Sequence, residues 1–324
     1  MKRREALKTL LAAMALPSVL APRSGSSVVH RGASSRSRPP NIILILADDL
    51  GYGQLGCNGN GFNETPNLDR IANEGMRFSN AYAAAAVCSP TRAALMTGQH
   101  PARQGITDYL ARDDDHFLSP AYITINERLT SAGYATGLVG KWHLTGDYGK
   151  NLGAPQRHGW DEVLLSETRY IASGGYFAPY SFMPHVQPRE PDEYLTERLN
   201  TEAVEFIRRH QDEPFFLYLS HYAVHKEMAA RDEVIAKYAY KFGAGFNGND
   251  TVLAAMLESV DDGVGRILRT LEALGLDDNT LVVFTSDNGG ETANAPLRTG
   301  KSTLYEGGIR VPLVSVIRPA CAPP

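Results

Sequence analysis

The strongest constraint on the fold is a set of four short apolar runs, Ile42–Leu46, Ala135–Val139, Phe215–Leu219 and Leu281–Thr285. Each stops abruptly in polar residues, and each reads as a buried strand. Segments with helical periodicity lie between them. This alternation predicts an α/β fold with a central, largely parallel sheet flanked by helices. In such sheets ligands bind beyond the carboxyl ends of the strands. The residues in those positions are Asp48-Asp49, Lys141-Trp142-His143, His221 through His225, and Asp287-Asn288. Four strands therefore deliver carboxylates, a lysine and histidines to one edge, which packing alone does not explain.

The intervening helices are well punctuated. Thr65-Pro66 opens one that Gly75 closes. Thr124 and Glu127 form a capping box ahead of Leu129. Leu253, Met256, Leu257, Val260, Val264, Ile267, Leu268 and Leu271 make an apolar stripe at helical spacing, which is core.

Ahead of Asn41, Lys2-Arg3-Arg4 precedes an apolar stretch from Leu10 to Leu20 that is too short to span a bilayer. Residues 1–22 are expected to be an export signal that resembles the twin-arginine type. The Ser/Arg/Pro-rich residues 23–40 are expected to be a disordered linker. Residues 41–324 form the expected catalytic domain. A formal net charge of -4 gives no support to nucleic-acid binding. Three cysteines, Cys57, Cys88 and Cys321, leave no disulfide framework.

Three motifs carry chemistry. In Cys88-Ser89-Pro90-Thr91-Arg92 the cysteine sits at the positive end of a short helix. Arg92 lies one turn later on the same face, where it reaches an anion held there. Asp48-Asp49 precedes Gly51-Tyr52-Gly53, and Asp287-Asn288 precedes Gly289-Gly290. These four oxygen donors, with no nitrogen or sulfur among them, point to a hard cation. In the run Gly133 to His143, Lys141 and His143 alternate by two and share a side if strand geometry persists. His221 is expected behind the site or at the surface. The stretch Tyr170 to Tyr194 reads either as the lining of a sugar site or as a surface loop with some buried aromatics.

The segment from Cys88 to Gly98 closely resembles the signature of the type I, formylglycine-dependent sulfatases of the alkaline-phosphatase-like superfamily. Gly133 to His143 resembles a second signature of that family. The resemblance implies that Cys88 is oxidised to formylglycine, an aldehyde that works as its hydrate. It implies that Asp48, Asp49, Asp287 and Asn288, with modified Cys88, hold a divalent ion. Calcium suits such a cage, and magnesium is the alternative. It further implies that Lys141, Lys301 and Arg92 offset charge on the sulfate and that Asp287 is the base for the first hydroxyl. His225 would protonate the leaving oxygen, and His143 would help deprotonate the second hydroxyl.

After His225 the family often continues with a small residue and proline, whereas Lys226-Glu227 stands here. The expected reaction is hydrolysis of a sulfate monoester on a sugar or aryl group. The expected partners are a sulfated small molecule or glycan, a formylglycine-generating enzyme and the twin-arginine export machinery, with no nucleic acid and no stable membrane span. The expected location is periplasmic or extracellular. The sequence stops at Pro324, so the family's smaller C-terminal subdomain is expected to be absent. Two other readings remain open: a phosphate or phosphonate monoester hydrolase of the same superfamily, and an inactive truncated binder of sulfated glycans.

Overall fold

The computed structural model describes residues 38–170, 175–245, 250–292 and 294–317. The segment read as an export signal, and the linker up to Ser37, lie outside the described residues. At the near end, the Arg38 guanidinium donates to the Gln211 carbonyl at 2.9 Å.

All four predicted strands form, as β1 (Asn41–Ala47), β3 (Ala135–Gly140), β5 (Phe215–Ser220) and β6 (Thr280–Ser286). Three more join them: β2 (Met76–Arg77), β4 (Glu162–Leu164) and β7 (Leu313–Val316). The sheet order is β2-β7-β6-β1-β5-β3-β4. The five strands from β6 to β4 are parallel, and β7 runs antiparallel to both β6 and β2. β1 is central, with Leu46 paired to Ser220 on one side and Ala47 paired to Ser286 on the other.

The helices are α1 (Pro66–Glu74), α2 (Cys88–Thr97), α3 (Pro101–Gln104), α4 (Ile125–Ser131), α5 (Leu195–Arg209), α6 (Asp232–Ala239), α7 (Thr251–Leu274) and α8 (Glu306–Ile309). The predicted stripe on α7 is buried from Leu253 to Leu271, as its spacing requires. With α1 and α5 it covers one sheet face through Leu68, Ile71, Leu199, Phe206 and Ile43. The other face packs Leu44, Leu138, Phe216 and Tyr218 against Ala93 and Met96 of α2 and against Trp142 and Trp160. The Trp160 ring stacks on Phe216 at 5.7 Å and on Tyr218 at 6.2 Å. Gly137 on β3 lies directly beneath the Phe206 ring, so any side chain there would collide with that ring and disturb the packing of α5 on the sheet. Among the described residues, no helix is long and apolar enough to cross a membrane.

The start of α1 is capped from a distance. Asp261, buried on α7, accepts from the Asn67 N–H at 3.0 Å, the Leu68 N–H at 2.8 Å and the Asn67 side-chain amide at 2.7 Å. This one carboxylate satisfies helix-start donors that would otherwise lack partners. Replacing it strands those donors in the interior. Asp261→Ala is expected to destabilise the fold by about 2–3 kcal/mol, read from the urea midpoint.

Candidate active site

The site assembles just past the carboxyl ends of β1, β3, β5 and β6. Hydrogen bonding continues one step beyond the strands and fixes the loops there. The His221 N–H donates to the Leu46 carbonyl at 2.8 Å, and the Asp287 N–H to the Ala47 carbonyl at 3.3 Å. Asp48 and Asp49 follow β1 directly. Asp49 adopts a left-handed backbone at φ 62, a conformation aspartate tolerates better than most residues. Its N–H donates to Asp287 Oδ1 at 3.1 Å, which ties the Asp48-Asp49 pair to the Asp287-Asn288 pair.

α2 brings Cys88 into this nest. The chain is extended at Val87, Cys88 is the first helical residue, and Gly98 in the left-handed conformation ends the helix. Cys88 Sγ lies 3.5 Å from Asp48 Oδ1 and 3.9 Å from Asp49 Oδ1. One oxygen from each of Asp48, Asp49 and Asp287 falls within 4.8 Å of this sulfur and of the others.

Three cations balance the three carboxylates. Arg92 is fully buried and grips Asp287 Oδ2 through Nε at 2.9 Å and Nη2 at 2.7 Å, with Asp48 Oδ1 at 3.4 Å. Its Nη1 donates to Ser220 Oγ at 2.7 Å. Lys141 Nζ pairs with Asp48 Oδ2. Lys301 Nζ reaches Asp49 Oδ2 at 2.6 Å and Glu291 Oε2 at 3.4 Å. The guanidinium expected to reach a bound anion is thus tied to carboxylates in this structure.

The fields follow from this pairing. Burial penalises the Asp48 carboxylate, but Lys141, His225, Arg92 and Lys301 outweigh it and hold its pKa well below the usual range. Burial, with Asp48 beside it, pushes Asp49 up to about 7 against the pull of Lys301. Burial also drives the Cys88 thiol well above its ordinary value; Asp48, Asp287 and Asp49 reinforce the shift while Lys141 opposes it. Lys301 stays protonated, since Cys88, Asp49 and Asp48 override the burial cost.

Two histidines complete the cluster. His225 Nε2 stands 3.8 Å from Asp49 Oδ2, and burial takes its pKa down to about 3. His143 is held neutral by burial, with Lys141 and Arg92 adding to the effect. Its Nε2 meets the Leu110 carbonyl at 3.1 Å, and its ring lies edge-on to Tyr170 at 6.4 Å. The expected alternation of Lys141 and His143 does not occur. β3 ends at Gly140, whose φ is 103, and His143 turns left-handed at φ 53, so the strand period stops before it can apply. His221 is not at the surface: it is fully buried, and neither ring nitrogen has a partner.

The donor set fits a divalent cation. Asn288 Nδ2 donates to Asp49 Oδ1 at 2.7 Å, while the buried Asn288 Oδ1 has no hydrogen-bond partner. A buried amide oxygen with free lone pairs beside three carboxylates suits an oxygen-coordinated ion. Sequence reasoning missed Ser220, Glu291 and Glu167, which support Arg92, Lys301 and His143 respectively. They belong to no motif, and only the fold brings them in.

A mostly parallel sheet flanked by helices, with a buried carboxylate cage at its strand ends, is consistent with an alkaline-phosphatase-like α/β fold. The sulfatase family model matches residues 40–319, and the chain belongs to the sulfatase family. It is 32% identical to the steryl-sulfatase of Rattus norvegicus over 84% of this chain and 61% of that protein. It is 34% identical to the N-acetylgalactosamine-6-sulfatase of Homo sapiens over 88% of this chain and 58% of that protein. The chain therefore spans about three fifths of the length of these curated relatives. Among solved structures, Ps i-CgsB in complex with k-i-k-neocarrahexaose matches with TM-score 0.73 at 34% identity, over 86% of this chain and 66% of that one.

Removing Arg92 would leave Asp287 buried with its main partner gone and Asp48 with one cation fewer beside it. Arg92→Ala is expected to cost about 3–5 kcal/mol in chemical denaturation. Arg92→Lys should recover part of the loss, since one ammonium cannot reproduce the guanidinium's grip.

Proposed function

We propose that the protein hydrolyses sulfate monoesters at a divalent cation, using a formylglycine made from Cys88. The observation that carries this reading is the setting of Cys88, a buried helix-start residue whose sulfur faces two aspartates at 3.5 and 3.9 Å. Burial, reinforced by the surrounding carboxylates, disfavours a thiolate, so the unmodified residue is a poor nucleophile. Oxidised to the aldehyde and hydrated, it would supply one hydroxyl to attack sulfur and a second to expel sulfate. Asp48, Asp49, Asp287 and Asn288 would hold the ion, with modified Cys88 completing the shell. Calcium fits this all-oxygen set, magnesium is the alternative, and the ion would neutralise sulfate oxygens and acidify a hydroxyl.

Charge supports an anionic substrate. Asp48, Asp49 and Asp287 are matched by Arg92, Lys141 and Lys301. A divalent ion leaves the cluster in positive excess, which draws in a sulfate monoester. Among the cations and histidines of this cluster, Lys301 and His225, with side chains 15% and 20% exposed, are the most open to solvent. Lys301, which stays protonated, donates to the sulfate and supplies the proton of the departing oxygen, while the neutral His225 imidazole stabilises that oxygen through a hydrogen bond from its N–H. Arg92 and Lys141 keep Asp48 ionised, and Arg92 holds Asp48 and Asp287 in register. Asp287 takes the proton of the attacking hydroxyl, and neutral His143 takes that of the second.

The names of the relatives support a sulfated small molecule or glycan as substrate. A two-metal phosphatase would need further ligands. Among the described residues, Asp48, Asp49, Cys88 and Asp287 are the metal-competent group found. The arginine-led segment at residues 1–22 supports export, to the periplasm or outside the cell, through a twin-arginine route, with residues 23–40 as a linker. Cys88 is 1% exposed in the folded chain, so a formylglycine-generating enzyme has to act before the site closes.

Mass spectrometry of the peptide containing Cys88 in active protein is expected to show sulfur replaced by a carbonyl oxygen. Aryl sulfate should then be turned over in preference to aryl phosphate, and Cys88→Ala should lower kcat/KM by about a thousandfold or more. Intact cysteine in a fully active preparation contradicts the reading, and preferential turnover of aryl phosphate makes the protein a phosphatase instead. Chelation should abolish turnover and lower the Tm. Restoring calcium to about 100 times its Kd should return about 2.7 kcal/mol of stability.

A further inference from the structure

We propose that Glu167 is a positioning residue for the Lys141–His143 segment, clamping its backbone so that both side chains enter the site. This rests on the sulfatase reading of that site. No motif marks Glu167. It stands three residues beyond β4, outside the cluster of carboxylates and cations.

The segment needs such a clamp. The Lys141 N–H still donates to the Ser220 carbonyl at 2.8 Å, the last ladder-like bond of β3. Beyond it the chain leaves the sheet, and His143 takes a left-handed backbone at φ 53 that disfavours a residue with a β-carbon. The next two N–H groups both go to Glu167: Trp142 donates to Oε2 at 3.0 Å and His143 to Oε1 at 2.5 Å. Two successive amides on the two oxygens of one carboxylate fix the peptide plane between them. The His143 ring is then anchored at Nε2 by the Leu110 carbonyl, and the Lys141 ammonium by Asp48.

The same carboxylate gathers adjacent loops. Tyr222, on the loop that carries His225, donates its hydroxyl to Oε2 at 2.8 Å. Tyr148 donates to Oε1 at 3.4 Å. Glu167 thus ties together the segments that follow β4, β3 and β5, three neighbouring strands of the sheet. Buried at 4% exposure, it is satisfied by N–H and O–H donors alone. The arrangement requires an acceptor-only group. A glutamine would turn an NH2 toward donors that already point inward.

The test is steady-state kinetics on Glu167→Gln and Glu167→Asp, using protein with verified Cys88 conversion and an aryl sulfate. Histidine ring signals are followed in parallel by 15N NMR, with the His143 signal assigned by its loss in His143→Gln. The expected result for Glu167→Gln is a kcat about 100-fold lower per folded molecule, with KM within about threefold of wild type and the His143 signal displaced. Glu167→Asp should fall between the two. If kcat is unchanged in a folded, active variant, or the His143 signal does not move, the clamp is overturned. If wild-type protein turns over no sulfate ester, the sulfatase reading fails, and the His143 signal alone decides whether Glu167 positions the segment.

Discussion

The pairing of three buried carboxylates with three cations is the interaction on which the rest of this structure depends. Asp48, Asp49 and Asp287 are each essentially inaccessible to water. Isolated charges in that setting would cost several kcal/mol apiece. Arg92, Lys141 and Lys301 each arrive from a different element, so the cluster forms only when β1, β3, β6, α2 and the loop before α8 are all in place. The chain accepts a costly arrangement at one edge of its sheet and offsets it with two well-filled apolar faces. Such a distribution is what a site built for charge requires of its scaffold.

The long elements were legible from the sequence because their signals are local. β1, β3 and β5 are apolar runs buried on both faces, β6 is an apolar run buried fully at alternate residues, and α7 carries its apolar stripe from Leu253 to Leu271. The helix opened by Pro66 begins where expected, although Asp261 and not the Thr65 side chain caps it, and the capping box at Thr124 forms. β2, β4 and β7 span two, three and four residues, too few to establish a period. They exist because neighbouring strands offer them partners, which no short window of sequence reveals.

The site was legible to a different depth. The residues Asp48, Asp49, Cys88, Arg92, Lys141, Asp287, Asn288 and Lys301 meet in one cluster, and His225 borders it. What failed was the geometric argument for Lys141 and His143. It extrapolated a strand that Gly140 ends, and the side chains converge through a left-handed turn instead. Arg92 also proved to face carboxylates inside the nest. Glu167, Ser220 and Glu291 could not be found in advance, since each acts through a contact with a motif residue that the fold creates and no residue spacing announces.

β1 pairs with β5 and β6 in fixed register, and its next residue is Asp48. Each strand therefore acts as a ruler with divisions of about 3.3 Å, set by the backbone repeat. A carboxylate can be moved along that edge only in whole steps, and a single step also turns it to the opposite face. The spacing between charges is consequently digital. Substitution can retune the strength of any one group, but the distances among Asp48, Asp287 and Lys141 stay indexed by the sheet, and continuous variation is left to the loops that approach from outside.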